Sequence, residues 1–198
     1  MAKEKPKAKN TTKIILIVIA AIIVLAIFWV IGAYNSLVRS QENLNEKWAN
    51  VQADYQRRFD LIPNLVATVK AYSDYEGQLL TAITATRSAW TQTSTAQQRM
   101  QVANQLDSVL SRLLVVLENY PNLKANENYL SLQDELAGTE NRIKYSRTEF
   151  NNAVKAYNIK LRTFPTNTIA GMFGFTQRDM FESTTGAEQA PNVSELIK

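Results

Sequence analysis

Eighteen apolar residues in a row, IILIVIAAIIVLAIFWVI at positions 14–31, constrain this chain more than any other feature. Gly32 and Ala33 prolong the uncharged stretch to position 33. At 1.5 Å per residue such a helix covers about 30 Å, the thickness of a bilayer's hydrocarbon core, whereas the apolar core of a signal peptide runs to about 7–15 residues. The exit of the stretch also lacks a small-x-small cleavage pattern, because Ile31 stands three places from the end of a segment finishing at Ala33. A buried core helix of this length needs a wide shell of protein around it, more than a 198-residue chain supplies. The expectation is an uncleaved transmembrane helix over residues 14–33.

Charge gives the span a direction. Lys3, Lys5, Lys7, Lys9 and Lys13 against Glu4 carry the entire net charge of +4, which leaves the rest of the chain balanced at 17 basic and 17 acidic residues. Residues 1–13 therefore read as a basic cytoplasmic tail, and by the positive-inside rule everything after the span lies outside the cytoplasmic (inner) membrane of a bacterium, with Trp29 and Tyr34 near the outer interface. A balanced body carries no domain-wide footprint for nucleic acid, so none is expected as a partner.

The chemical inventory is short. There is no Cys and no His, which removes disulfides, thiol nucleophiles, thiolate or imidazole metal ligands and an imidazole base. No phosphate loop, kinase signature or dinucleotide fingerprint appears either.

Between positions 34 and 164 only Gly77, Gly138, Pro63 and Pro121 interrupt the chain, and the apolar residues fall at helical spacing. Leu37, Leu44, Val51 and Arg58 repeat every seven, with Gln41, Trp48, Tyr55 and Ile62 offset by four. One glycine at Gly32 costs about 1 kcal/mol, so the span is expected to run on into this helix. A turn is expected at Pro63, with Asp60 capping a second helix that ends near Trp90. Ser94 and Gln97 have capping-box spacing ahead of a third helix through Leu106 and Leu113, which Pro121 stops. A fourth stripe runs from Tyr129 to Leu161 and ends at Phe164-Pro165. Asp54–Arg58 and Glu140–Lys144 are spaced for surface ion pairs. Four amphipathic helices with short connections bury their stripes as an all-α, up-and-down antiparallel four-helix bundle over residues 34–164. An apolar C-terminal segment at 165–182 is expected to pack on or near that bundle, and the polar stretch 183–198 to be disordered.

Particular runs resemble the LemA family of small bacterial membrane-anchored helical proteins: Tyr34-Asn35-Ser36-Leu37-Val38 after the span, Arg57-Arg58-Phe59-Asp60-Leu61-Ile62-Pro63-Asn64-Leu65-Val66, Glu118-Asn119-Tyr120-Pro121-Asn122-Leu123-Lys124, and Phe173-Gly174-Phe175 near the end. The similarity runs nearly end to end, and the RR-x-x-LIPNLV stretch is its most specific element. The chain departs from the family's common Tyr-Asn pattern at Phe150-Asn151. The resemblance implies a helical bundle without an established catalytic activity, and a role near membrane peptidases by association only.

The functional expectation is a non-enzymatic, single-pass scaffold or adaptor of the cell envelope with no cofactor. It would act by self-association as a homo-oligomer or by binding another membrane protein, with Arg57, Arg58, Phe173, Phe175 and Phe181 as partner contacts. Alternatives are a regulator or accessory of a membrane peptidase, a membrane-deforming protein whose C-terminal segment meets lipid, and a carboxylate-metal hydrolase built on Glu76, Glu118 and Glu140. Against the last stands a plainer reading, in which interior acids form an ion-paired layer with Arg58, Arg87 or Arg147.

Overall fold

A computed structural model of the chain describes residues 8–71, 77–118 and 120–181. Helices make up nearly all of these, and no strand occurs among the described residues. In order they are α1 (Ala8–Lys70), α2 (Gly77–Gln92), α3 (Ala96–Leu117), the short α4 (Pro121–Lys124), α5 (Glu127–Arg162) and α6 (Thr166–Met172). The chain is thus all-α with an N-terminal apolar helix. Most of the basic tail (residues 1–7) and the whole of the C-terminal tail (183–198) lie outside the described residues.

α1 passes Gly32 without a break, and every side chain from position 11 to 29 is exposed. Protein covers none of the apolar window, as a helix made to be covered by lipid requires.

The expected turn at Pro63 does not form. α1 continues through it to Lys70, and the first break falls beyond position 71. An interior proline costs a helix about 3 kcal/mol through its missing N–H and its clash with the preceding turn. Here Phe59, Ile62, Leu65 and Val69 are all buried on the opposite face. Each is worth about 1.5–3 kcal/mol when covered, so together they outweigh the proline. Pro63 itself faces solvent. The proposed cap shifts as well: Asp60 lies inside α1 and accepts from Gln56 Nε2 at 2.9 Å.

The next start signal is one residue late. Thr95, not Ser94, caps α3, its hydroxyl accepting from the Gln98 N–H at 3.3 Å. Pro121 opens α4 in the first-turn position where a missing N–H is harmless. Asn126 then caps α5 by accepting from the Tyr129 N–H at 3.1 Å.

By their contacts the residues fall into two units, one made of residues up to 44 with 155–178, the other of 45–154 with those from 179 on. In the second unit four helices share a core. Trp90, at the end of α2, stacks on Tyr55 and Phe59 of α1 with ring centroids 5.5 and 5.0 Å apart. Leu106, Leu110 and Leu113 of α3 and Leu136, Ile143 and Phe150 of α5 complete the buried stripes. Lys47 faces Glu149 at 3.5 Å while Arg58 faces Glu140 at 2.6 Å, so α5 runs against α1. In the first unit Leu37 of α1 is buried together with Tyr157 and Leu161 of α5 and Ile169 and Ala170 of α6.

Candidate functional site

Two arrangements bring polar or aromatic groups together, one in each unit. In the second unit a charged knot closes around Asp107. Its carboxylate accepts from the Tyr55 hydroxyl (2.9 Å), from Arg58 Nη1 (2.8 Å) and from Arg147 Nη1 (3.2 Å). Arg58 Nη1 also meets Glu140 Oε2 at 2.6 Å, and Arg147 Nη2 donates to Asn104. Helices α1, α3 and α5 are cross-linked by two guanidiniums and two carboxylates whose formal charges cancel. Arg58 is only 6% exposed, and its Nε is buried with no hydrogen-bond partner among the described residues.

Burial dominates the electrostatics. It pushes the Asp107 carboxyl above its ordinary value, with Arg58, the Tyr55 hydrogen bond and Arg147 pulling the other way and Glu140 adding to the rise. It also drives the Tyr55 phenol far upward, helped by the negative charge of Asp107, so this hydroxyl stays a donor.

The knot corrects the local ion pairs read from spacing. Arg58 reaches across to α3 and α5 instead of pairing with Asp54, and Glu140 holds Arg58 instead of Lys144. Of the three acids proposed for metal chemistry, Glu140 is in the knot, Glu118 is exposed just beyond α3, and Glu76 lies outside the described residues. Among the described residues no group of three or more acids is gathered to hold a metal ion. Of the partner arginines in the ion-paired reading, Arg147 joins the layer and Arg87 is exposed.

Beside the knot, Phe181 is buried. Its ring lies 5.8 Å from both Trp48 and Phe150, and the Arg147 guanidinium stands 4.3 Å above it. The Asn151 amide fixes its backbone, accepting from the Phe181 N–H at 2.9 Å and donating to its carbonyl at 3.0 Å. A different face of α5 borders a groove of about 510 Å³ with Lys47, Asp54, Arg142, Tyr145 and Glu149, where Tyr145 is 69% exposed.

In the first unit the aromatic groups gather on Tyr34, the residue following the apolar stretch. Phe173 and Phe175 place their rings 4.9 and 5.8 Å from it. Gly174 makes this double contact feasible. With φ of 74° it adopts the left-handed conformation that ends α6, and the Phe175 N–H bonds back to the Ala170 carbonyl at 3.0 Å. Lys160 Nζ donates to the Ser36 carbonyl at 3.2 Å. Asn158 clips the backbone of Arg178, accepting its N–H (3.0 Å) and donating to its carbonyl (2.8 Å).

The five residues named from sequence therefore occupy different settings. Arg57 is exposed, Arg58 is committed to the knot, Phe173 is largely exposed, Phe175 is half-buried on Tyr34, and Phe181 is buried. Sequence reasoning missed Asp107, Asn104, Asn151 and Asn158. A signal existed for the two α5 asparagines. They stand seven apart inside a long helix, where Asn is unfavourable unless its amide is occupied elsewhere.

The model of the LemA family matches residues 47–194. Protein LemA of Metamycoplasma hominis is 26% identical over 170 residues, covering 85% of this chain and 78% of that protein. Similarity extends to Magnetosome protein MamQ 2 of Paramagnetospirillum magneticum, 25% identical over 175 residues, and to Magnetosome protein MamQ of Magnetospirillum gryphiswaldense, 23% over 174. In both cases 75% of this chain is covered but only 64% of the relative, so the chain spans just under two thirds of those proteins. With a family match over most of its body and an apolar N-terminal helix left bare of protein, the chain is a membrane-associated helical protein that belongs to the LemA family.

Proposed function

We propose that the protein is a non-enzymatic scaffold or adaptor of the bacterial cell envelope, working by contact with another membrane protein or with further copies of itself. The observation that carries this reading is the state of the interior acids. Asp107 and Glu140 are bound to Arg58 and Arg147, and the Tyr55 hydroxyl is spent on Asp107. Groups so engaged hold helices in register, with their hydrogen-bonding positions already taken by one another. The exposed features of the second unit, Arg57 and the groove around Tyr145, are the contact surfaces this reading uses. The basic start of the chain supports an N-terminus in the cytoplasm, single-pass insertion in the inner membrane and a helical body outside. A membrane peptidase is one partner of the right kind, suggested by family resemblance alone.

Photo-crosslinking residues introduced at Arg57 and Tyr145 in native membranes test the proposal. Discrete adducts to a second copy or to another membrane protein are the expected result. Bare monomer at both positions, or substrate turnover abolished by Glu140→Gln in a folded protein, would overturn it.

A further inference from the structure

The first unit exposes an apolar surface that the contact role above does not use. Phe164 is 80% exposed, Met172 73% and Phe173 53%. Met172 ends α6 and the other two lie just before and after it, while Ile169 and Ala170 of α6 are buried and pin the segment in place. The depth of that segment relative to a bilayer follows from two contacts. Phe173 lies against Tyr34, one residue past the apolar stretch, and Lys160 bonds to Ser36 two residues further on. An apolar helix that fills the hydrocarbon core brings Tyr34 to the headgroup level, where aromatic rings with a polar tip settle. Phe173 is then at that level too. Phe164 follows two residues after α5 ends at Arg162, and because α5 runs against α1 the chain there is heading toward the apolar stretch.

Charge identifies the occupant. From position 150 to 178 there is no acidic residue, while Lys155, Lys160, Arg162 and Arg178 are present. Lys155, Arg162 and Arg178 are exposed. Exposed apolar side chains fixed at headgroup depth and framed by cations match an anionic membrane surface. We propose that residues 164–175 lie in the interface of the same bilayer that α1 crosses, with Phe164, Met172 and Phe173 entering the acyl boundary and the flanking cations meeting anionic headgroups. The protein then holds its membrane at two places, and the stem of α1 is braced against tilting.

The chain has no cysteine, so single nitroxide labels report position cleanly. Phe164→Cys and Met172→Cys are labelled in the full-length protein, with Tyr145→Cys, about 25 Å back along α5 from its end at Arg162, as the aqueous control. In phosphatidylglycerol–phosphatidylcholine vesicles, both labels are expected to collide several-fold more with oxygen than with a soluble nickel complex, with the order reversed at Tyr145. In phosphatidylcholine alone the labels should sit shallower. Labels as water-accessible as the control would overturn the proposal. So would shielding that disappears when the protein is diluted in lipid, which identifies a second copy as the occupant. Equal depth in both lipids would overturn the anionic assignment. The proposal depends on the apolar helix being a span, and its failure leaves the crosslinks at Arg57 and Tyr145 unaffected.

Discussion

The side-chain amide of Asn151 satisfies both backbone groups of Phe181, and Asn158, seven residues later on α5, does the same for Arg178. Extended chain is held to a helix here by two side-chain amides in place of a sheet partner. Asn151→Ala leaves two backbone groups at Phe181 without partners, at a cost of about 1–3 kcal/mol each where they are buried. Hydrogen exchange should show the Phe181 amide losing most of its protection while amides in the middle of α3 keep theirs. Unchanged exchange at Phe181 would mean that ring burial alone holds the segment.

The knot makes a sharper energetic prediction. Arg58→Met strands Asp107 and Glu140 without their shared cation, and breaking a buried pair from one side costs about 3–5 kcal/mol. The partial exposure of both acids lowers this to roughly 2–3 kcal/mol. In urea denaturation, the triple change Arg58→Met, Arg147→Met, Asp107→Leu should recover much of the loss, because the one charge left of the knot, Glu140, is 55% exposed to solvent. A triple variant as weak as the single one would assign the knot a net stabilising role.

Stability should fall at high pH through Tyr55. Its folded pKa is raised far above the ordinary phenol value of about 10. Between the unfolded and folded values the unfolded chain releases a proton that the folded one keeps. The Tyr55 contribution is therefore complete below about pH 10 and is lost as pH rises beyond it. Chemical denaturation at successive alkaline pH values measures the slope, and Tyr55→Phe should flatten it. An identical slope in the variant would place the linkage elsewhere, for example at Tyr129 or Tyr157, both also raised by burial.

Pro63→Ala should stabilise the protein by about 2–2.5 kcal/mol. The change restores a helical N–H and relieves the clash, worth about 3 kcal/mol, against the loss of proline's restriction of the unfolded chain, about 0.4–1 kcal/mol. A raised urea midpoint with unchanged helix content is the expected reading. Destabilisation would show that the ring is needed where it stands.

Gly174→Ala isolates backbone conformation. An added Cβ meets nothing within 4 Å, so the cost comes from the left-handed φ alone, about 1–2 kcal/mol. Exchange at the Phe175 amide should quicken because its bond to Ala170 depends on that turn.

What the sequence determined on its own is whatever local periodicity and composition enforce. The uncharged stretch at 14–33, the helical stripes, the proline-limited end of α3 and the motifs of the LemA family are all properties of consecutive residues, legible without knowing what lies opposite. Tertiary structure decided the remainder, because the outcome turned on partners distant in sequence. Pro63 reads as a break until the coverage of Phe59, Ile62, Leu65 and Val69 is counted. Arg58 reads as a surface residue near Asp54 until Asp107, 49 positions away, comes within 2.8 Å of it. Likewise Phe173, Phe175 and Phe181 share one apolar segment, yet the first is exposed while the last is buried on Trp48 and Phe150. Spacing along a chain fixes which face a side chain occupies; only the packing of helices fixes what that face meets, and for charged and aromatic groups the neighbour sets the energy.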